Sequence, residues 1–211
     1  MREALADSTI MSVMTGPRRR FNHDVEGRLM TTTVLDEVVS RLLDQQIGAI
    51  FQGKAEMGAR ALGNRSIMFD PRVKDGKDIV NRVKRREWYR PFAASILEEH
   101  AKDWFKMGKL TSSPWMLYAL PVIPEQAEKI PAVVHVDCTC RAQTVTPEQN
   151  KHWYDLIAAF HAKTEVPLVL NTSFNLAGEP LVHTREDALS TLRRSDLDFV
   201  YFPESMEIVT Q

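Results

Sequence analysis

Short β-branched or aromatic runs alternate along this chain with stretches of helical spacing, and that interleaving leaves few folds open. Val34, Leu35, Val38, Val39, Leu42 and Leu43 recur at a helical period, as do Trp153, Leu156, Ile157 and Phe160. Between and beyond them lie Ala49-Ile50-Phe51, Leu168-Val169-Leu170 and Phe199-Val200-Tyr201-Phe202, which fit short buried strands. The pattern predicts a helix from about Thr33, with Thr33 and Asp36 as its capping box and Gly48 as its stop. It predicts a second helix over Gly76 to Arg86 and a third opened by Thr146-Pro147-Glu148. A last helix is capped by Thr184. Phe92 to Leu97 reads as a strand, Glu98 to Phe105 as a short helix, and Trp115 to Val122 as another strand. Pro131 to Val136 is a β-branched run expected to pair with Ala142 to Val145 across a turn at Asp137–Arg141. Met206 to Val209 is a late strand. Helices and strands mix without a clean βα repeat, so the expected class is α/β with a mixed, twisted sheet and flanking helices. Residues 1–32 are expected to be a tail or linker, with Gly16-Pro17-Arg18-Arg19-Arg20 in a loop, and 33–211 one domain.

With 211 residues and 44% hydrophobic content, the chain can bury one good-sized core. No apolar run reaches the ~18 residues of a membrane span, and the first twenty residues lack the apolar stretch of a signal peptide. Cys138 and Cys140 are the two cysteines, too close together to staple a fold, so the cytoplasm is the expected compartment. The net charge of −1 hides an asymmetry: Lys54 to Arg90 holds eleven Lys or Arg against five acids, leaving the remainder at −7. A cationic block inside a neutral chain fits a small anionic ligand better than a long polyanion.

Four clusters carry groups able to do chemistry. In Gly53 to Ser66, three glycines allow close backbone approach, and Arg60 and Arg65 offer planar forks suited to phosphate. The bland alternative is a turn whose arginines pair with Glu56 and Asp70. In Asn81 to Phe92, Lys84, Arg86 and Arg90 could converge from a helix end and the next strand, or simply line a solvated basic face. In His135 to Gln143, alternation would set His135, Asp137 and Thr139 on one side of a continuing strand, with Arg141 as the ligand candidate. The C-x-C pair there is a weak metal signal, and small buried thiols account for it better. In Leu170 to Pro180, a buried strand runs out into Asn171, Thr172, Ser173 and Asn175, a polar loop of the kind that meets ligands at strand ends; an ordinary Asx or Ser turn is the alternative. The other histidines form no triad, and there is no Walker-type loop or G-x-S-x-G.

The order and wording of these clusters resemble one family. Gly58-Ala-Arg-Ala-Leu-Gly-Asn-Arg-Ser66, then Asn81 through Lys84 and Arg86 to Arg90-Pro-Phe-Ala93, then His135-Val-Asp with Thr139 and Arg141, then Leu170-Asn-Thr-Ser-Phe-Asn175 with Gly178-Glu-Pro180, look like the C-terminal domain of the O-carbamoyltransferases. The resemblance covers about residues 33–203. It implies a YrdC/Sua5-like twisted α/β fold that binds ATP, with Mg2+, and carbamoyl phosphate and makes carbamoyl adenylate. A separate Kae1-like domain, which holds the iron or other metal, passes the carbamoyl group to an alcohol. Lys84 with Arg86 matches the K-x-R pattern of the YrdC-like nucleotide site, and Ser173 with Asn175 its S-x-N pattern. Arg60, Arg90 and Arg141 match cationic positions around the carbamoyl phosphate and nucleotide. The resemblance thus implies catalytic roles for Lys84, Arg90, Arg141 and Ser173, and binding roles for Arg60, Arg86, Asn171 and Asn175.

The chain departs from the family at three positions. Ala59 and Ala94 stand where proline is usual, which is expected to soften loops, and Cys138 stands where glycine is usual, a harder exchange if φ must be positive there. No Kae1-like half precedes residue 33, so a Kae1-like partner is expected to complete the transfer. The competing expectations are a catalytically silent nucleotide-binding fragment and a YrdC-like RNA-binding module. Neither a membrane nor a nucleic-acid partner is the leading expectation.

Overall fold

The strands form a single mixed sheet: β1 (Gly48–Phe51), β2 (Arg65–Phe69), β3 (Ala93–Leu97), β4 (Ala119–Pro121), β5 (Thr139–Val145), β6 (Leu168–Ser173), β7 (Phe199–Phe202) and β8 (Glu207–Thr210). Their order across the sheet is β4-β5-β3-β6-β2-β1-β7-β8. β3 with β5 and β1 with β7 run parallel, and the other neighbours run antiparallel. The computed structural model describes residues 23–58 and 60–211, so the Gly16–Arg20 loop and Ala59 lie outside the described residues.

The helices are α1 (His23–Leu43), α2 (Gly76–Val83), α3 (Ala101–Trp104), α4 (Pro124–Ala127), α5 (Lys151–Thr164) and α6 (Arg185–Arg194). Every residue of β2, β3 and β7 is buried, as expected for strands covered on both faces. α1 and α5 pack on one another, with α5 also against β3 and β6, and α6 lies against β7. Val38, Val39 and Leu42 from α1 and Trp153, Leu156, Ile157 and Phe160 from α5 are fully buried in one continuous core, as their periodicity requires. The expected α/β class with a mixed sheet and flanking helices is therefore what the chain forms.

Several local expectations are corrected. α1 begins at His23, ahead of the Thr33 onset, and Gly48 opens β1 instead of ending the helix. α1 stops at Leu43, and Gln45 takes the left-handed backbone (φ 59°) that glycine usually supplies. α5 is capped by Asn150, whose side chain accepts from the Trp153 N–H, and Thr146 closes only a preceding turn. The strand expected over Trp115 to Val122 contracts to Ala119–Pro121. Pro131–Val136 is not a strand at all: the Asp137 carboxylate accepts from both the Thr139 N–H and the Thr139 hydroxyl, and the His135 N–H donates to the Thr139 carbonyl at 2.7 Å. Such local side-chain bonds offer the backbone an alternative to a ladder. The place beside β5 goes to β4, with Leu120 opposite Cys140. Ala94, expected to soften a loop, is a fully buried residue of β3.

The Gly53–Gly63 loop returns to the sheet through Gly63, whose φ is +108°. A Cβ built there would stand 2.5 Å from the Trp153 ring. Gly63→Ala combines a disfavoured backbone with overpacking against α5, so we expect it to lower stability by about 2–4 kcal/mol. Urea unfolding followed by far-UV circular dichroism checks this, and an unchanged midpoint would refute the packing described for the loop.

Candidate functional site

α2 ends at Val83, and Arg85 turns the chain through a left-handed residue (φ 53°), which directs Lys84 inward to the end of β6. Lys84 is 3% exposed. Its ammonium donates to the Ser173 carbonyl at 2.5 Å, the Asn175 carbonyl at 2.9 Å and the Asn175 Oδ1 at 3.1 Å, with the Ser173 hydroxyl at 3.4 Å. The Ser173 hydroxyl donates to the same Asn175 Oδ1 at 2.7 Å, and the Asn175 amide donates to the Glu179 carbonyl. The S-x-N segment therefore shapes a seat for Lys84. Burial, and next the positive charge of Arg86, pull the Lys84 pKa down to about 7.

Lys84, Arg86, Arg90, Ser173 and Asn175 line one cleft of about 650 Å³ that opens to solvent beside Gly178. Arg90 is exposed and paired with Glu87 at 2.7 Å. Arg86 donates to the Asn81 Oδ1 at 2.6 Å and lies over the Phe92 ring at 4.2 Å from its centre. Burial, with Arg90 and Arg141 nearby, lowers the Arg86 pKa to about 10, so the group stays charged at neutral pH. Arg86 and Ser173 also line a smaller cup of about 120 Å³, shared with Arg60, Ala93, Arg141, Asn171 and Thr172. Arg141 lies inside β5, not in a turn as expected, and burial and the neighbouring Arg60 hold its pKa down. The Arg60 Nε donates to the Met116 carbonyl at 3.3 Å.

All eight residues that the sequence singles out thus line this pair of neighbouring cavities, which share Arg86 and Ser173. Sheet register explains much of the convergence. Ala93 is directly opposite Arg141 on one side and Asn171 on the other, so both side chains leave the same face and flank a methyl group. Asn171 differs from expectation in one respect. It is 1% exposed, and its amide nitrogen is committed within the protein to the Ala61 carbonyl, the Ser95 hydroxyl and the Gln143 Oε1.

Three contributors escape sequence reasoning. Glu56 accepts from the backbone N–H groups of Leu62, Asn64 and Arg65 at 2.7–3.0 Å, clamping the loop that carries Arg60; burial raises its pKa against these bonds. A lone acid among the glycines and arginines of that loop is the one signal for it. Ser95 and Gln143 are buried polar residues within apolar strands, and that misfit with their surroundings marks them. Arg65, by contrast, is structural: it is buried, donates to the Gln52, Asn64 and Gly53 carbonyls, and stacks on Phe51 at 3.6 Å. Asp70 pairs with Arg72. Arg65 is thus a structural residue of the turn, although its bonds go to backbone carbonyls and not to Glu56 or Asp70, whereas Arg60 lines the small cup.

The His135–Thr139 turn lines neither of these cavities, although His135 touches Phe92 in the wall of the small cup. His135 contacts the Phe92 carbonyl at 2.8 Å and the Thr139 hydroxyl at 3.2 Å. Cys138 has φ +59°, the conformation for which glycine is the easier residue. Both cysteines are free, and burial pushes the Cys140 thiol up to about 12. Among the described residues, no helix is long and apolar enough to cross a membrane.

Four guanidinium groups, a buried ammonium and a strand-end hydroxyl around two neighbouring cavities have the chemistry to receive a compact, highly charged anion. Nodulation protein NolNO of Sinorhizobium fredii is 44% identical over 169 residues, covering 77% of this chain and 25% of its own length. Nodulation protein NolO of Bradyrhizobium diazoefficiens is 43% identical, covering 77% and 31%. The chain thus spans about a quarter to a third of these curated relatives. Among solved structures, HypF in its phosphate- and nucleotide-bound form superposes with TM-score 0.50 at 20% identity, and T. kodakarensis HypF with 0.51 at 17%. Each covers 80% of this chain and 22% of HypF, a likeness of fold. The model of the carbamoyltransferase C-terminus matches residues 39–207, which include every lining residue named above, and the chain accordingly belongs to that family.

Proposed function

We propose that this domain binds ATP, with its Mg2+, and carbamoyl phosphate and forms carbamoyl adenylate, which a Kae1-like partner then uses to carbamoylate an alcohol. The observation that carries this reading is the convergence of Lys84, Arg86, Arg90, Arg141 and Ser173 on two neighbouring cavities of very different size. The larger, about 650 Å³, suits a nucleotide triphosphate; the smaller, about 120 Å³, is close to four waters' share of liquid volume and suits a small acyl or phosphoryl group. Family membership and the residue types support transfer of a carbamoyl group.

In this reading carbamoyl phosphate gives up inorganic phosphate to water. An oxygen of the resulting carbamate attacks the α-phosphorus of ATP, and pyrophosphate leaves. Charge accumulates on the equatorial oxygens at that phosphorus, and no protein nucleophile is needed. Lys84 and Arg86 face the triphosphate, Arg90 balances it at the mouth, and Arg141 and Arg60 hold the acyl end. Fixed cations in a partly dry cleft stabilise such charge more strongly than mobile water does. Ser173 places its hydroxyl at the junction of the two cavities. The acceptor alcohol and the metal belong to the partner in this scheme.

Pyrophosphate release that depends on carbamoyl phosphate tests the scheme. We expect Lys84→Ala and Arg141→Ala to reduce it by about 10²–10³-fold while the chain stays folded. Rates equal to wild type in both variants, or no release by wild type while ATP still binds, would refute adenylate formation. A second expectation follows from Lys84. Its pKa is about 7 in the folded chain, so above that pH the group is largely neutral. A bound polyanion favours the charged form and raises the pKa, so ATP binding at pH 8 should take up protons. Calorimetry in buffers of different ionisation enthalpy measures this uptake, which should vanish in Lys84→Met.

A further inference from the structure

Two residues that line the small cup each carry a buried polar atom with no partner in the protein, the Arg141 Nε and the Asn171 Oδ1. One is a donor and the other an acceptor, and register places their side chains on either side of Ala93. The remaining charged groups around the cup, Arg60 and Arg86, only donate. A fully ionised phosphoryl group offers only acceptor oxygens to such a surface, so it would leave the Asn171 oxygen unsatisfied.

The orientation of Asn171 is fixed by its neighbours. Gln143 donates from Nε2 to the Leu62 carbonyl at 3.0 Å, which turns its Oε1 to Ser95. Ser95 donates to that oxygen at 2.6 Å. Asn171 Nδ2 then reaches the Ser95 hydroxyl at 2.8 Å, the Ala61 carbonyl at 3.1 Å and the Gln143 Oε1 at 3.2 Å. Rotating the amide would set its oxygen against two carbonyl oxygens, so the free atom is the acceptor. A buried acceptor without a donor is costly, and a ligand N–H relieves that cost.

We propose that Asn171 is the specificity-determining residue for the acyl group: its Oδ1 accepts a hydrogen bond from the amino group of a carbamoyl donor, while Arg141 donates to the donor's oxygen. This rests on the function proposed above and adds the group that selects a carbamoyl over an acetyl donor. Acetyl phosphate has nearly the same shape but presents a methyl group where carbamoyl phosphate presents NH2. It therefore leaves the Asn171 oxygen unpaired, and sites built to bond an N–H discriminate strongly against analogues that lack it.

Calorimetric titration of the full chain with freshly dissolved carbamoyl phosphate, acetyl phosphate and inorganic phosphate decides the matter. We expect carbamoyl phosphate to bind roughly 10- to 100-fold more tightly than acetyl phosphate. In Asn171→Leu the ratio should fall to near one, whereas a purely structural defect would weaken both ligands equally and keep it. Equal affinities in the wild type, or a ratio that persists in the variant, overturn the assignment alone. If none of the three ligands binds, the proposed function falls and takes the assignment with it. Should Asn171→Leu fail to fold, the wild-type ratio still decides.

Discussion

The buried Lys84 ammonium is the interaction on which the site's architecture depends. It closes the turn after α2 onto the last residues of β6 and gives three firm hydrogen bonds to carbonyl and amide oxygens. No carboxylate takes part in these bonds. A cation satisfied only by neutral dipoles carries a desolvation cost, to which Arg86 adds repulsion, and the two together lower its pKa to about 7. The same preference extends outward. Arg86, Arg141 and Arg60 are each neighbours of another cation, and Glu87 at the rim is spent on Arg90. Positive charge thus crowds this part of the protein, with its acidic neighbour Glu87 paired to Arg90.

The second constraint is geometric. β3 runs between a parallel and an antiparallel neighbour, and its first residue, Ala93, sets the level at which Arg141 and Asn171 face each other. Above that level, the Arg60–Leu62 backbone is fastened by Gln143 and Asn171 from the sheet and by Glu56 from within the loop. A long arginine is thereby held by backbone bonds at its root while its tip stays near the cup. The scaffold beneath these side chains is thus bonded to itself, which fixes the place of each one.

Much of this was legible in the sequence because local signals coincide with long-range ones. Helical spacing in α1 and α5 marks residues that are buried, and the Thr184 cap is realised as a full capping box with Asp187. The K-x-R and S-x-N pairs point to one place because the end of α2 and the end of β6 meet. What stayed hidden depends on competition between partners. Val133, Val134 and Val136 favour a strand, yet the Asp137–Thr139 bonds turn the chain first and β4 takes the neighbouring place. Thr146-Pro147 is a good helix start, but Asn150 lies where its oxygen can reach the Trp153 N–H. The amide orientation of Asn171 is set by residues 28, 76 and 110 positions away, so no local reading finds it.

That spread along the chain has a kinetic consequence. Joining β6 to β2, and β1 to β7, closes loops of about a hundred residues or more, and Lys84 bonds to residues 89 and 91 positions away. Such high contact order delays the ordering entropy's repayment until most of the topology is assembled. A nascent or truncated chain that lacks β6 has α2 and β3 but neither cavity, because Asn171, Ser173 and Asn175 are missing from their walls.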